Sequence, residues 1–512
     1  MEKIAEKKHL PLFRMIIPAF GINVFTRFAR SMTSLGPIMV ATMANKMEGW
    51  RVEVVDENNW SGSRDKQGLP DHRSLQQKSP ATVVGFYCGL SSTIPRVWQL
   101  AEFYHIFSVV TIAGGWHAHY RPSEMLNKSI DVVVHGEGEK VIQEILNVVA
   151  RDGCFFDVPG ISFRDDGKQT TNPPEFSETR DLNDLPYPDF GLLRYARKIK
   201  YYPIGRIRGC DMNCEFCSVK GKPRWSDAQH LFETVNWLAE TRKARRFFLV
   251  DDRAEGDLAG TIEFFEMISK RYGRRLSFTV QMRLGAAKNS VLLDVMKNAG
   301  VRVVCIGFES PIDEELKAMG KGYSSAKMLE WVKIWRGQGF RIHGMFIFGY
   351  PLKEIDGLVD LKERIRRFRR FIRQSRIDTI QILHPVPLVG TELRKRLEQE
   401  GMIFPLSVVP WDRYDGNNAC FLSNDMTMEE FQKIPMKLMG RFYNFWAFIR
   451  IPFKTIAFLA DCCIRGWDRW YRDWFRDILK CGGYFLIRRW RRKQEDSDFI
   501  KKLEKYQSEQ SK

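Results

Sequence analysis

The chain reads as an α/β protein: an N-terminal Rossmann-like doubly wound domain, then a partial TIM-like (β/α)6 barrel, then a helical C-terminal region. Three observations carry that reading. Short apolar runs alternate with stretches of helical apolar spacing, first over residues 1–165 and again over 191–420, the pattern of parallel sheets with crossover helices. Between them, 166–190 is polar and rich in proline (Pro173-Pro174, Pro186-Tyr187-Pro188) and reads as an ordered linker. From 421 to 512 the strand pattern stops, and aromatics and arginines crowd a helical rhythm. The 512 residues, 44% hydrophobic and 28% charged, leave room for two or three globular domains.

In the first part, Met15 to Pro18 reads as a buried strand following Arg14, and Pro37 opens a helix through Lys46. Val52 to Asp56, Ala81 to Tyr87, Val109 to Ala113 and Asp131 to Val134 read as further strands. Pro95 to Ile106 and Glu139 to Val149 read as helices. The turns after these strands are Gly89-Leu90-Ser91-Ser92-Thr93, Gly114-Gly115 and Gly136-Glu137-Gly138. Loops that follow parallel strands collect at one sheet edge, where such folds bind ligands, and glycine lets backbone N–H groups come close. A ligand is expected there.

In the second part the expected strands are Ile204–Gly209, Phe247–Val250, Leu276–Gln281, Arg302–Gly307, Ile342–Phe348 and Asp378–Leu383. Ser226-Asp227-Ala228-Gln229 reads as a capping box ahead of a helix with Leu231, Val235 and Leu238 on one face. Six units make a partial barrel, with chemistry beyond the carboxyl ends of its strands.

The first of those strand ends carries Cys210-Asp211-Met212-Asn213-Cys214-Glu215-Phe216-Cys217, a C-x3-C-x2-C triplet. Three thiolates on one short loop can reach one metal centre. A closed zinc site takes four ligands, whereas a four-iron cluster held by three cysteines leaves an iron open for a substrate or cofactor. The ten cysteines are too sparse for a disulfide scaffold. Cys88 and Cys154 read as inert, Cys305 as a core residue inside a strand, and Cys420 as near "WDRYDG" but structural.

The triplet with Phe216 before its last Cys, "LPYPDF", "FFLVDD", "VVCIGFES…LKAMGKG", "GMFIFGYP", "PVPLVGTEL" and "WDRYDG" together resemble radical S-adenosylmethionine (SAM) enzymes over residues 185–420. "TIAGGWHAHYRPSEML…DVVVHGEGE" resembles the cobalamin-binding half of the cobalamin-dependent members over most of 30–150, without the D-x-H-x-x-G signature. The resemblance implies a 4Fe-4S cluster on Cys210, Cys214 and Cys217, and SAM on the fourth iron. It further implies reductive cleavage of SAM with an external one-electron donor, and hydrogen abstraction from substrate. By position it implies SAM contacts for Phe216, Glu309, Ser310, Gly349 and Pro351, and SAM or substrate contacts for Asp251, Asp252, Gln281 and Arg283. For cobalamin it implies Gly89, Ser91, Ser92, Thr93, Gly114, Gly115, His117, Glu137 and Gly138, with His119 in the same loop. The expected activity is methylation of an unactivated carbon, with cyclisation, ring contraction or oxidation as alternatives. A non-catalytic iron–sulfur electron carrier would lack a need for the SAM phrases, and a tRNA methylthiotransferase would need three further cysteines before residue 210.

The net charge of +18 is uneven: Lys437 to Lys493 holds fourteen Lys and Arg against four Asp, a local +10. This marks an appended basic element, which disfavours a nucleic-acid partner for the chain as a whole. Phe442 to Ile464 is broken by Arg450, Lys454 and Asp461, a poor membrane span. Trp467 to Leu479 interleaves aromatics with Arg and Asp, and Arg488 to Lys493 is basic. Residues 440–493 therefore suit peripheral membrane contact, which would make a lipid substrate as natural as a soluble small molecule. Gln494 to Lys512 reads as frayed. The expected location is cytoplasmic, because no signal peptide is visible, with peripheral contact at the inner membrane face through 440–493.

Overall fold

Every residue of Leu12–Ile17 is buried, which places this strand inside a sheet covered on both faces. The computed structural model describes residues 10–21, 30–173, 181–353, 359–494 and 496–510. In it, β1 (Leu12–Ile17), β2 (Arg51–Asp56), β3 (Val83–Tyr87), β4 (Val110–Gly114) and β5 (Val132–Val134) are parallel in the spatial order β2-β1-β3-β4-β5. That order reverses between β1 and β3, the switch point at which doubly wound sheets open a crevice beyond their carboxyl ends. Two antiparallel strands, β6 (Ile161–Asp165) and β7 (Lys168–Thr171), complete the sheet. The sheet thus runs past the boundary expected at residue 165, and residues 174–180 of the expected linker lie outside the described residues.

The expected first strand began after Arg14; instead Arg14 lies within β1 and is fully buried. The burial is tolerated because its donors are used. Nε meets Glu53 at 2.6 Å, Nη1 donates to Gln76 (3.0 Å) and to the Tyr104 hydroxyl (3.1 Å), and Nη2 donates to the Ser79 carbonyl (2.5 Å). The network continues from Tyr104 to His72 Nδ1 (2.8 Å), then to Glu57, which also holds Arg96 at 2.6 Å.

The second sheet holds β8 (Tyr202–Ile204), and after the ribbon β9 (Ile207–Arg208) and β10 (Arg224–Trp225) come β11 (Arg246–Leu249), β12 (Ser277–Gln281), β13 (Val301–Glu309), β14 (Arg341–Ile347) and β15 (Thr379–Leu383). β8 and β11 to β15 are parallel and lie side by side in chain order, a six-stranded open barrel. Its first strand is shorter than the expected Ile204–Gly209. The cause is Asp251, whose carboxylate accepts the N–H groups of Arg206 (2.6 Å) and Ile207 (3.0 Å), donors that would otherwise extend the ladder. The chain turns out of the sheet there, and β9 pairs antiparallel with β10. The expected capping box also fails to form. The helix Ala228–Thr241 has Asp227 at its N-cap without a side-chain bond, and buried Ser226 is tied to Arg206 through its backbone.

The C-terminal region is helical throughout: Met428–Phe442, Trp446–Ile456, Phe458–Arg465, Trp467–Gln494 and Ser497–Gln510. Met428–Phe442 has a complete Thr427/Glu430 capping box. The Tyr443 hydroxyl just beyond it bonds both the N–H and the carbonyl of Ile380 at 2.8 Å, which ties the region to β15. The tail expected to fray is ordered over Ser497–Gln510, because Phe499, Ile500 and Leu503 form an apolar stripe that is buried. Among the described residues no helix is long and apolar enough to cross a membrane.

Two outcomes follow for stability. Arg14→Leu leaves Gln76, Tyr104 and the Ser79 carbonyl without their partner, and is expected to cost about 3 kcal/mol, read as a lower thermal midpoint. Burial works against an ionised Glu57, yet its bonds to His72 and Arg96 bring it down to about 2. Its contribution is therefore present above about pH 4.5 and lost as pH falls towards 2. Neighbouring Asp56, pushed up to about 6 by burial, has the opposite sign: it favours the fold in acid and loses that contribution as pH rises through 6. Glu57→Gln is expected to lower the midpoint at neutral pH and to flatten its fall on the acid side, measured by calorimetry across pH.

Candidate active site

The three cysteines lie on the loop between β9 and β10, beyond the carboxyl ends of the barrel strands. Its backbone is fixed before the first cysteine. Gly209 has φ +87°, and a Cβ there would stand 3.0 Å from the Lys222 carbonyl, so only glycine lets the two arms of the ribbon meet. Its N–H donates to Asp252 at 2.8 Å. Asp251 and Asp252, expected to contact SAM or substrate, thus hold the entry to the loop. Asp251 keeps its second oxygen buried without a hydrogen-bond partner, and burial pushes it up to about 6.

Glu215, between the second cysteine and Phe216, is the residue on which the barrel converges. Its carboxylate takes the Tyr350 hydroxyl at 2.6 Å and Arg396 at 2.7 and 3.1 Å. Its N–H donates to the Met319 carbonyl (3.3 Å), and its own carbonyl accepts the Leu393 N–H (3.0 Å). Burial opposes the charge, but Arg396 and Tyr350 hold Glu215 below the usual carboxylate range. Lys220 Nζ donates to the Cys214 carbonyl (2.8 Å), Arg253 pairs with Asp211, and Gly320, at φ +76°, lets its strand-end turn pass the Asn213 carbonyl. Cys214 is buried, while Cys210 and Cys217 are half-buried. Burial raises Cys217, and the nearby Cys214 and Cys210 thiols raise it further. Three thiols on one clamped loop, with Cys217 within electrostatic reach of the other two, suit a group that takes three cysteines and keeps one position open. Among the described residues no His, Cys, Asp and Glu set is arranged to hold a single metal ion.

Of the residues expected around SAM, Phe216 and Glu309 stand at the loop's edge. The Phe216 ring meets Tyr350 edge-on with centroids 6.2 Å apart, and Lys321 Nζ lies 5.5 Å from its centroid. Lys321 also pairs with Glu309 at 2.9 Å. Glu309 ends β13 at φ +59°, where the register with β14 slips. The others are engaged in scaffolding. Ser310 bonds Glu315, Gly349 packs where a Cβ would lie 2.7 Å from Phe431, and the Pro351 carbonyl accepts Arg396 at 3.0 Å. Gln281 is exposed at the end of β12, and Arg283 reaches the Met212 sulfur at 3.3 Å. Cys88, Cys305 and Cys420 lie away from the loop: Cys88 and Cys420 are fully buried, and burial pushes Cys305 up to about 12. Cys154 is exposed.

A cavity of about 930 Å³ separates the two sheets and reaches the cysteine loop at Ser218. Its floor is apolar on the first domain (Phe13, Met15, Gly85, Tyr87), and its far wall is Arg206 to Gly209 with Asp251 and Asp252. Gly114, Gly115, Glu137 and Gly138 line it as the strand-end argument expects. Gly89, Ser91, Ser92, Thr93 and His117 do not. Ser91–Thr93 is a short turn into the next helix. His117, expected to contact cobalamin, is fully buried, 3.0 Å from the Ser91 hydroxyl and edge-on to Trp411 at 4.7 Å. Burial, then Arg121 and Arg394, push it down to about 3. Those loop residues seat the end of the barrel on the first domain, together with Trp116 Nε1 on the Val389 carbonyl (2.7 Å) and Trp411 Nε1 on Glu124 (2.6 Å). Glu137 is held by Arg208 (3.0 Å) and Arg224 (2.6 Å), and Glu139 by Arg208 (2.5 Å). A strand-end loop of the first domain is thus bonded to both arms of the ribbon that carries the cysteines.

Sequence reasoning missed Glu215, Tyr350, Arg396, Arg208 and Lys321. Glu215, Tyr350 and Lys321 lie inside phrases already singled out, but nothing in one sequence says that those phrases meet one another. Arg396→Leu is expected to free the loop and to lower iron bound after anaerobic reconstitution by roughly half or more, measured as iron and sulfide per chain; Arg396→Lys is expected to restore part of it.

Residues 204–365 match the family model described as the radical SAM superfamily. The chain is 25% identical over 376 residues to an uncharacterised methyltransferase of Pyrococcus horikoshii, covering 71% of this chain and 79% of the relative. Among solved structures it resembles the radical SAM methyltransferase TsrM of Kitasatospora setae, solved with tryptophan and a SAM analogue (TM-score 0.63, 15% identity, 83% of this chain and 88% of the other). It also resembles the cobalamin-dependent SAM radical enzyme OxsB, solved with aqua-cobalamin (TM-score 0.65, 16% identity, 95% and 73%). At those identities the likeness speaks for the shared α/β fold. The barrel match and the clamped three-cysteine loop agree: residues 204–365 are a radical SAM domain, the kind that takes a 4Fe-4S cluster and SAM, and the chain is an enzyme.

Proposed function

We propose that the chain is a cobalamin-dependent radical SAM methyltransferase acting on an unactivated carbon of a small-molecule or lipid substrate. The observation that carries the proposal is the cavity of about 930 Å³ between the two strand-end faces, with the cysteine loop on its wall. The Pyrococcus relative named a methyltransferase and the TsrM and OxsB folds support it. When bound, the cluster with SAM supplies a carbon radical through an external one-electron donor, and cobalamin supplies a transferable methyl group.

The chain's own residues do the positioning. Cys210, Cys214 and Cys217 would hold the cluster, and Glu215 fixes their loop through Arg396 and Tyr350. Phe216, Glu309 and Lys321 offer an aromatic face, a carboxylate and an ammonium at the edge of the loop, groups that would suit the adenine, hydroxyls and carboxylate of SAM. On the first domain, Tyr87, Gly114, Gly115 and Gly138 would face cobalamin across an apolar floor that excludes water. No histidine of that domain lines the cavity among the described residues; His230, from the barrel, does. The Glu137 and Glu139 pairs with Arg208 and Arg224 keep the two faces in register.

Protein reconstituted anaerobically with iron, sulfide and hydroxocobalamin is expected to retain cobalamin in equimolar amount. On reduction with SAM it should release 5′-deoxyadenosine and S-adenosylhomocysteine. Protein that carries the cluster yet retains no cobalamin contradicts the cofactor assignment. Cleavage of SAM without any methylated product from cell extracts, read by mass spectrometry, contradicts methyl transfer.

A further inference from the structure

A second large cavity, of about 950 Å³, lies between the barrel helix Leu361–Ser375 and the C-terminal helices. It adjoins Arg376 and Ile377, which precede β15, so it sits at the amino ends of the barrel strands, on the face opposite the cysteine loop. Its walls are cationic. On Leu361–Ser375, Arg366, Arg369, Arg370 and Arg373 recur at i, i+3, i+4 and i+7, which puts them on one stripe, while Phe368, Phe371 and Ile372 bury the other. Like charges at that spacing repel and weaken a helix, so the stripe is not there for stability. Arg366 has Glu363, but Arg369, Arg370, Arg373, Arg441 and Lys480 form no ion pair among the described residues. The cavity's carboxylate, Asp477, is already taken by Arg450 (3.1 Å) and Lys454 (2.6 Å). Arg476 pairs with Asp473 through Nη2 (3.0 Å), while its Nε is buried without a hydrogen-bond partner. Burial, then Arg476, press Lys480 down to about 8, with Arg450 and Lys454 adding and Asp477 opposing.

The helix that lends Arg450 and Lys454 to this cavity also exposes apolar side chains. Trp446 is 66%, Phe453 68% and Ile456 84% exposed, and Leu459 on the next helix is 74% exposed. An apolar edge in water beside an unneutralised cationic hollow is the composition of an interfacial anchor.

We propose that this cavity and the helix edge beside it dock the chain on an anionic lipid surface, with phosphate headgroups entering the cavity. Charge complementarity favours phosphate, and the adjoining apolar helices favour a lipid over a soluble phosphate. The face lies opposite the catalytic mouth, so docking localises the enzyme without covering the cysteine loop. The proposal stands independently of the methyl-transfer reading.

The test is sedimentation of the full chain with vesicles. Binding is expected to phosphatidylcholine vesicles that contain phosphatidylglycerol, and not to phosphatidylcholine alone. The combined variant Arg369→Gln, Arg370→Gln, Arg373→Gln, all exposed positions, is expected to weaken it on the order of a hundred-fold with SAM cleavage unchanged. Phe453→Ser with Ile456→Ser is expected to weaken it as well. Equal binding to neutral vesicles, no binding to either, or a triple variant that pellets like the parent overturns the proposal. Calorimetric binding of inorganic pyrophosphate without vesicle binding overturns it too, by assigning the cavity to a soluble phosphate.

Discussion

The architecture of the site depends on the carboxylate of Glu215. A loop with three cysteines has no regular secondary structure of its own, and thiols alone cannot hold a shape before a cluster arrives. Glu215 supplies the missing constraint. Its side chain bonds Tyr350 after β14 and Arg396 on the helix after β15, and its backbone bonds Met319 after β13 and Leu393. Strand ends that are remote in sequence are thereby fastened to one residue inside the motif. A buried carboxylate with two strong partners is costly to disturb, since loss of either partner strands the charge. Pre-organisation of this kind lets a site accept its cofactor without rebuilding the loop.

The second constraint is the pairing of Glu137 and Glu139 with Arg208 and Arg224. It links a strand-end loop of the doubly wound sheet to the ribbon two residues ahead of Cys210. Each sheet would open a crevice at its carboxyl edge if it stood alone. Facing them makes one cavity with an apolar floor and a polar wall that runs up to the cysteine loop at Ser218. A large cofactor held there would stand over the loop, and substrate chemistry would occur between two cofactor surfaces shielded from water. The cationic cavity on the opposite face then separates localisation from catalysis.

Much of this was legible in the sequence, and the failures have physical causes. Strand periodicity marked ten of the eleven parallel strands to within about three residues, because buried parallel strands are apolar runs bounded by glycine. The exception in extent was β8, cut short by Asp251, a long-range bond that no local pattern reports. Arg14 was read as a break before β1, since an arginine in a central strand is acceptable only when distant groups use all its donors. His117 was read as a loop histidine because the Trp411 that buries it lies far along the chain. Gly89 to Thr93 looked like the other glycine loops, but their turn packs against the barrel's end. The cysteines were found because their spacing is local. Arg396 and Lys321 were not, because their roles exist only once the strands are side by side.

In the proposed function, cobalamin on the apolar floor of the inter-domain cavity stands beside a cluster on the cysteine loop. Electron paramagnetic resonance of the reconstituted chain tests it directly. With the cluster reduced and the cobalt in its paramagnetic state, the account predicts cobalamin and cluster signals broadened or split by mutual magnetic coupling. Two sharp, independent signals, each unchanged by the presence of the other centre, would contradict it.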